Sequence, residues 1–273
     1  MRPLLILLAL LSAPAHAAVR LYVFDCGTIV FDDIAHFELS NDDTDVRKLF
    51  VPCYLVEHRA DRQPVQRLLF DAGLAPGLAG QGPVESEPGM TLEYQRPLAD
   101  QLADLELTPA DIDYVAFSHL HFDHVGSANL FSESVQLIQA AEYQAGYVDR
   151  LPVYQPELYL GLADTPRKVL DGDFDVFGDD SVRLVSAPGH TPGHQALLVR
   201  LRDTGPVVLS GDLYHFRATR RLRRVPVFNT DREQTLASMA KVEVLLEAEG
   251  ATLWIEHDQA LADTLDKAPR YYE

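Results

Sequence analysis

The chain has 273 residues, of which 47% are hydrophobic and 23% charged, and its net charge is −18. That length can build a sizeable core, and the composition excludes a disordered or fibrous chain. The acidic balance argues against nucleic acid or anionic membrane as a partner.

Residues 1–17 open on Arg2, continue through the apolar run LLILLALL and close on Ala-His-Ala. This is the pattern of a signal peptide cleaved after Ala17, and the apolar run is too short for an ordinary membrane span. The reading is a periplasmic or secreted protein, without stable membrane insertion after cleavage, whose residues 18–273 form a single domain. Export permits a disulfide between Cys26 and Cys53, although two buried free thiols also fit.

Residues 20–26 predict a first strand, and the polar stretch 27–50 is expected to be irregular and to lie over a site. Residues 51–57 and 66–71 predict a hairpin, ending in Asp71-Ala72-Gly73. The Gly-, Pro- and Ala-rich residues 74–92 predict a loop, one candidate for the substrate entrance. A helix is expected over 93–105 and a turn or short helical start at 108–111. A short strand over 113–117 runs directly into SHLHFDHVG. Strands are also expected at 135–139, 182–186, 195–201, 206–210 and 251–255, with a mixed helix and loop over 141–160. Residues 231–248 predict the clearest helix, capped by Asp231. Strand ends repeatedly meet His or Asp, which favours a layered α/β domain with ligands gathered along one edge.

The central signal is His119-Leu120-His121-Phe122-Asp123-His124. In an extended segment His119 and His121 face the same way, and a following turn can bring Asp123 and His124 to a neighbouring metal. Neutral imidazole and carboxylate suit zinc. An isolated histidine is more often a surface or core residue, but four candidate ligands in six positions are not casual polarity.

HLHFDH, PGHTPGH, SGD and EHD together resemble the metallo-β-lactamase superfamily, over essentially the whole chain after residue 17. The resemblance implies an αββα sandwich of two central mixed sheets between outer helices. It implies two divalent metal ions, with His119, His121 and His194 on one, Asp123, His124 and His257 on the other, and Asp212 bridging them. His190 is expected in a supporting role. Relatives with a carboxylate at the His121 position often serve di-iron redox chemistry, so zinc hydrolysis is the favoured reading over iron, cobalt or manganese. Zinc β-lactamases typically lack the bridging Asp, which argues against antibiotic hydrolysis.

Within the superfamily the chain looks most like the N-acyl-homoserine lactonase group, through LYVFDCG, PCYLVEH, LLFDAGL and SAPGHTPGHQ as well as the ligand motifs. The implied activity is opening of a small lactone, with an ester or phosphoester hydrolase and a noncatalytic metal-dependent binding protein as alternatives. Such lactonases carry a Tyr three residues after the bridging Asp to bind the lactone carbonyl. Here Tyr214 stands two residues after Asp212 and His215 three, so both are candidates beside Asp123 and Asp212. Phe31, Met90, Phe122 and Phe216 are apolar pocket candidates. Arg220, Arg221, Arg223 and Arg224 read as a solvated face more readily than as an anion-attracting entrance. Related lactonases often dimerise, but no apolar stripe marks a homodimer interface here.

Overall fold

A computed structural model describes residues 17–273, so the expected signal peptide lies almost wholly outside the described residues. Two mixed sheets form the centre. The first has eight strands: β1 (Ala18–Phe31), β2 (Lys48–Arg59), β3 (Gln66–Phe70), β4 (Val84–Glu87), β5 (Met90–Glu93), β6 (Tyr114–Ala116), β7 (Val135–Gln139) and β8 (Arg167–Leu170). Their spatial order is β4-β5-β1-β2-β3-β6-β7-β8. The second has β9 (Phe174–Asp175), β10 (Val182–Ser186), β11 (Gln195–Leu201), β12 (Gly205–Leu209) and β13 (Thr252–Trp254), ordered β13-β12-β11-β10-β9.

Strand alternation explains the layering. Along β1, Val19, Leu21 and Val23 face the core between the sheets, whereas Tyr22, Phe24 and Cys26 face a second core outside. On β11, Leu197, Val199 and Leu201 point into the shared core, and Ala196 and Leu198 point to the opposite side. Both faces of each sheet are therefore buried in these strands, as their near-continuous apolar sequences require. Leu98 and Leu102 of α1 (Leu98–Ala103) close the outer face of the first sheet.

Three further one-turn helices follow: α2 (Phe122–Val125), α3 (Ala140–Tyr143) and, after a six-residue α4 (Arg217–Leu222), α6 (Gln259–Ala262). The long α5 (Arg232–Glu249) covers the second sheet with Met239, Val242 and Leu246. Asp231 caps α5, its carboxylate accepting from the Gln234 backbone N–H at 2.9 Å. The expected αββα arrangement is what forms.

Residues 74–92 depart from the expected loop. β4 and β5 form a hairpin there, and β5 pairs antiparallel with Thr28–Phe31 of β1. Main-chain hydrogen bonds to an open sheet edge outweigh a composition poor in strand formers. The same pairing extends β1 to Phe31, well into the stretch expected to be irregular. The helix expected over 93–105 begins only after Pro97, whose ring fixes the N-terminus. The strand Arg167–Leu170 was not anticipated, because its sequence RKVL has little apolar alternation.

Cys26 and Cys53 are disulfide-bonded, joining β1 to β2 inside the outer core. The bridge spans 27 residues in sequence, and closing a loop of that order stabilises by about 3 kcal/mol in the chain-entropy account. The Cys26→Ser/Cys53→Ser double variant should melt roughly 10 °C lower by calorimetry. Equal midpoints for variant and parent would refute a stabilising role for the bridge. Among the described residues, no helix is long and apolar enough to cross a membrane.

Candidate metal centre

The centre is assembled at one edge of the two sheets. β6 delivers Ser118, His119 and His121, and the single turn of α2 then presents Asp123 and His124 inward. His190 lies in the turn after β10, Asp212 follows β12 and His257 follows β13. Gly189 carries the chain into that turn with a φ of 132°, and a Cβ there would lie 2.3 Å from the Thr235 nitrogen of α5. Only glycine tolerates both the conformation and the close approach.

Three clusters of close donors result among the described residues. His119, His121, His190 and Asp212 form one ligand group and Asp123, His124 and His257 the other, while Asp71 and Glu256 cluster with His124 in the third. His190 Nε2 stands 3.1 Å from both His119 Nε2 and His121 Nδ1, and 3.2 Å from Asp212 Oδ2. On the other side, Asp212 Oδ1 is 2.9 Å from His257 Nε2 and 3.3 Å from His124 Nε2. Asp212 thus turns one carboxylate oxygen to each group.

One assignment from the sequence is corrected. His194, not His190, was expected beside His119 and His121. The turn at Gly189 places His190 in that position, while His194 is fully buried, donates its Nδ1–H to the Ala187 carbonyl, and lies outside both groups. His194 Nε2 packs under Gly211, where a Cβ would come within 2.6 Å of it.

Four of the ligand histidines are oriented from behind, whereas His121 turns Nδ1 itself toward His190 Nε2 in the centre. His119 Nδ1 meets Ser118 Oγ at 3.0 Å, His190 Nδ1 meets Asn229 Oδ1 at 2.9 Å, and His257 Nδ1 donates to the Phe50 carbonyl at 2.7 Å. His124 Nδ1 contacts Asp71 Oδ2 at 3.0 Å. With Nδ1 engaged there, Nε2 of these four is left to face the centre. Burial and neighbouring imidazoles hold His119 and His121 well below the usual histidine range, which keeps them neutral. Burial opposes charge on His257 too, but the Asp212 and Asp123 carboxylates raise it to about 9. His124 Nε2 and Asp212 Oδ1 are buried 3.3 Å apart, and despite such close neighbours neither makes a well-formed hydrogen bond. His119 and His121 are held neutral, the carboxylates are anionic, and, against the pull of burial, His124 and His257 are placed where their carboxylate neighbours favour a positive charge that a metal ion would supply in place of a proton, so the donor set fits two divalent cations.

Above the groups lies a cavity of about 470 Å³. His121, Asp123, Asp212, His215 and His257 line its polar end, and Ile29, Phe31, Phe37, Leu49, Met90, Phe122, Val153 and Phe228 line its apolar walls. Neither Lys nor Arg lines it. Phe31, Met90 and Phe122 are therefore placed where the sequence suggested. Phe216 is not, because it packs edge-on against Phe37 in the core.

Tyr214 and His215 take opposite sides. Tyr214 is in extended backbone, so its neighbour points the other way. Its hydroxyl donates to Glu243 Oε1 at 2.9 Å in the core under α5, which removes Tyr214 from the candidate substrate contacts. His215 faces the cavity with Nε2 3.1 Å from Asp212 Oδ2. The arginine run also lies away from the centre. Arg220 binds Glu243 through two contacts of 2.8 Å, and Arg220, Arg221 and Arg223 line a separate recess.

Sequence reading missed Asp71, Ser118, Asn229 and Glu142, which support the ligand loops. Asp71 had a signal of its own, an acidic residue ending an apolar strand. Asn229 and Glu142 sit in segments without any motif.

The fold and the two ligand groups define a metal-dependent hydrolase of the binuclear type. Residues 46–249 match the model of the metallo-beta-lactamase superfamily, and the chain belongs to that superfamily. It is similar to the N-acyl homoserine lactonase AttM of Rhizobium johnstonii, 28% identical over 269 residues that cover 93% of this chain and 98% of the relative. An N-acyl homoserine lactonase of a Bacillus species is 30% identical over 249 residues, covering 88% of this chain and 93% of that protein. The fold also matches a solved N-acyl homoserine lactone hydrolase carrying the product N-hexanoyl-L-homoserine, with a TM-score of 0.76 at 24% identity over 94% of this chain and 99% of the other.

Proposed function

We propose that this protein is an exported dinuclear zinc lactonase that opens N-acyl-homoserine lactones. The observation that carries the reading is Asp212, which turns one oxygen to His190 and the other to His257 and His124 at the polar end of an apolar-walled cavity. His119, His121 and His190 would hold one ion with Asp212, and Asp123, His124 and His257 the other. Bound there, divalent ions supply an acidified water and polarise the lactone carbonyl. Zinc suits these nitrogen and oxygen donors, which also accept iron, cobalt or manganese. Export is supported by the leader-like sequence of residues 1–17 and by the disulfide.

The chain's own residues would do the rest. The apolar walls take the acyl chain and exclude water from it. His215 donates a hydrogen bond to the carbonyl oxygen as negative charge develops there, the part Tyr takes in the lactonases this chain resembles. Asp123 turns Oδ2 toward His124 and His257, 3.6 Å from each Nε2. Its other oxygen would take the proton that the attacking water gives up and deliver it to the departing ring oxygen. The acyl C–O ring bond breaks, water is added, and the product is an open hydroxy acid. A cavity without Lys or Arg favours this neutral substrate over an anionic phosphoester.

The test is mass spectrometry of the zinc-loaded protein with acyl-homoserine lactones of graded chain length, simple esters and a phosphotriester. Ring opening is expected, lost in His121→Ala and reduced about 100-fold in kcat by His215→Phe with both metals retained. Turnover confined to esters or the phosphotriester would reject the substrate while keeping the hydrolase. Two bound metals with no turnover of any substrate would favour a binding protein.

A further inference from the structure

Glu142 is fully buried on α3 and touches neither ligand group, yet its carboxylate gathers donors from three separate segments. Oε1 accepts from the Leu120 backbone N–H and from the Tyr154 hydroxyl, each at 3.0 Å. Oε2 accepts from the Thr191 hydroxyl at 2.8 Å and the Gly193 backbone N–H at 2.9 Å. Leu120 lies between His119 and His121. Thr191 follows His190, and Tyr154 places its ring 5.9 Å from that of His121. All three histidines of the first group are thus tied, through their immediate neighbours, to one carboxylate.

The packing shows that this junction is built closely. A Cβ at Gly193 would fall 2.3 Å from the Glu142 nitrogen, so the His190 loop reaches the carboxylate only because Gly193 has no side chain. Burial pushes the Glu142 carboxyl above its ordinary range, and the four donors pull against that shift. A buried carboxylate is costly unless fully hydrogen-bonded, and here both oxygens are occupied.

We infer that Glu142 is a positioning residue for the metal held by His119, His121 and His190, setting the separation of the two loops that carry these ligands. The other group lacks this support, since His124 leans instead on Asp71. The inference rests on the two-metal reading and adds to it an asymmetry: one carboxylate governs one of the two ions.

Glu142→Gln isolates the effect. The amide keeps one acceptor oxygen but turns N–H toward the Gly193 N–H, so at least one backbone donor is orphaned. Stepwise zinc dissociation constants, read by chelator competition, should show one of two steps weakened about 10- to 100-fold. The loss should persist in a His257→Ala background, where the second group is already disabled, and vanish in a His121→Ala background. Thr191→Val removes a single donor and should weaken the same step less, which keeps the test open if Glu142→Gln fails to fold. Equal weakening of both steps, or unchanged constants beside a lower melting point, would reduce Glu142 to a general packing role and overturn the inference. A parent protein that binds no zinc would instead remove the two-metal reading, and that result is visible before any variant is made.

Discussion

Asp212→Ala should bind less than one metal per chain at limiting zinc and should lose more than about 10³-fold of hydrolytic turnover. The size follows from its position. Among the described residues it is the carboxylate that faces both groups, with Oδ1 2.9 Å from His257 Nε2 and Oδ2 3.2 Å from His190 Nε2. Burial disfavours its charge, but His215, His257, His124 and His190 surround it and hold its carboxyl well below the ordinary range. Removing it leaves buried imidazoles facing one another without the anion that offsets two cations. Loss of a supporting partner alone costs 10- to 100-fold in metal affinity, at order of magnitude, and a shared ligand acts on both ions. Asp212→Asn keeps the shape and one neutral acceptor, and should fall between the parent and the alanine variant. Metal content by mass spectrometry, together with turnover, reads the result. An Asp212→Ala protein that retains two metals would sink the bridging assignment.

The second large effect is a contrast between two histidines four residues apart. His190→Ala should strip the first ion and lower turnover more than about 100-fold, because Nε2 of His190 sits within 3.2 Å of three other donors of its group. His194→Ala should keep both ions and most activity. Its cost should appear in stability instead, at about 2 kcal/mol, from a buried side chain and a lost contact to the Ala187 carbonyl. Calorimetry and metal analysis on the same two preparations separate these outcomes. The reverse pattern, with His194→Ala losing metal, would reinstate the assignment suggested by the sequence.

That contrast marks where the sequence stopped being legible. HLHFDH can be read directly, because alternation along an extended segment brings His119 and His121 to one side and four ligands crowd one motif. Asp212 and His257 stand out as polar residues ending apolar strands. PGHTPGH offers two histidines in equivalent chemical company. The choice between them is made by the path of Gly189 around Thr235, a contact between a turn and a helix more than forty positions away. Tyr214 and His215 posed the same problem, resolved by which side of one extended residue meets α5. The β4–β5 hairpin was hidden because its stability comes from the edge of β1, not from its own residues. Glu142 gave no signal, since a lone Glu on a one-turn helix acquires meaning only when three loops converge on it.

Apart from Phe122, which stands inside the ligand motif, most walls of the cavity come from parts of the chain that supply no ligand. Ile29 and Phe31 end β1, Phe37 belongs to a short turn, Met90 starts β5, and Val153 and Phe228 lie on separate surface segments. Chemistry and recognition are therefore inherited separately in this architecture. Substitutions at these walls can change the shape of the cavity one position at a time while the ligand-bearing edge stays intact. For the engineer the same separation defines a library: randomise the six wall positions just named, and nearly every member should still bind its metals.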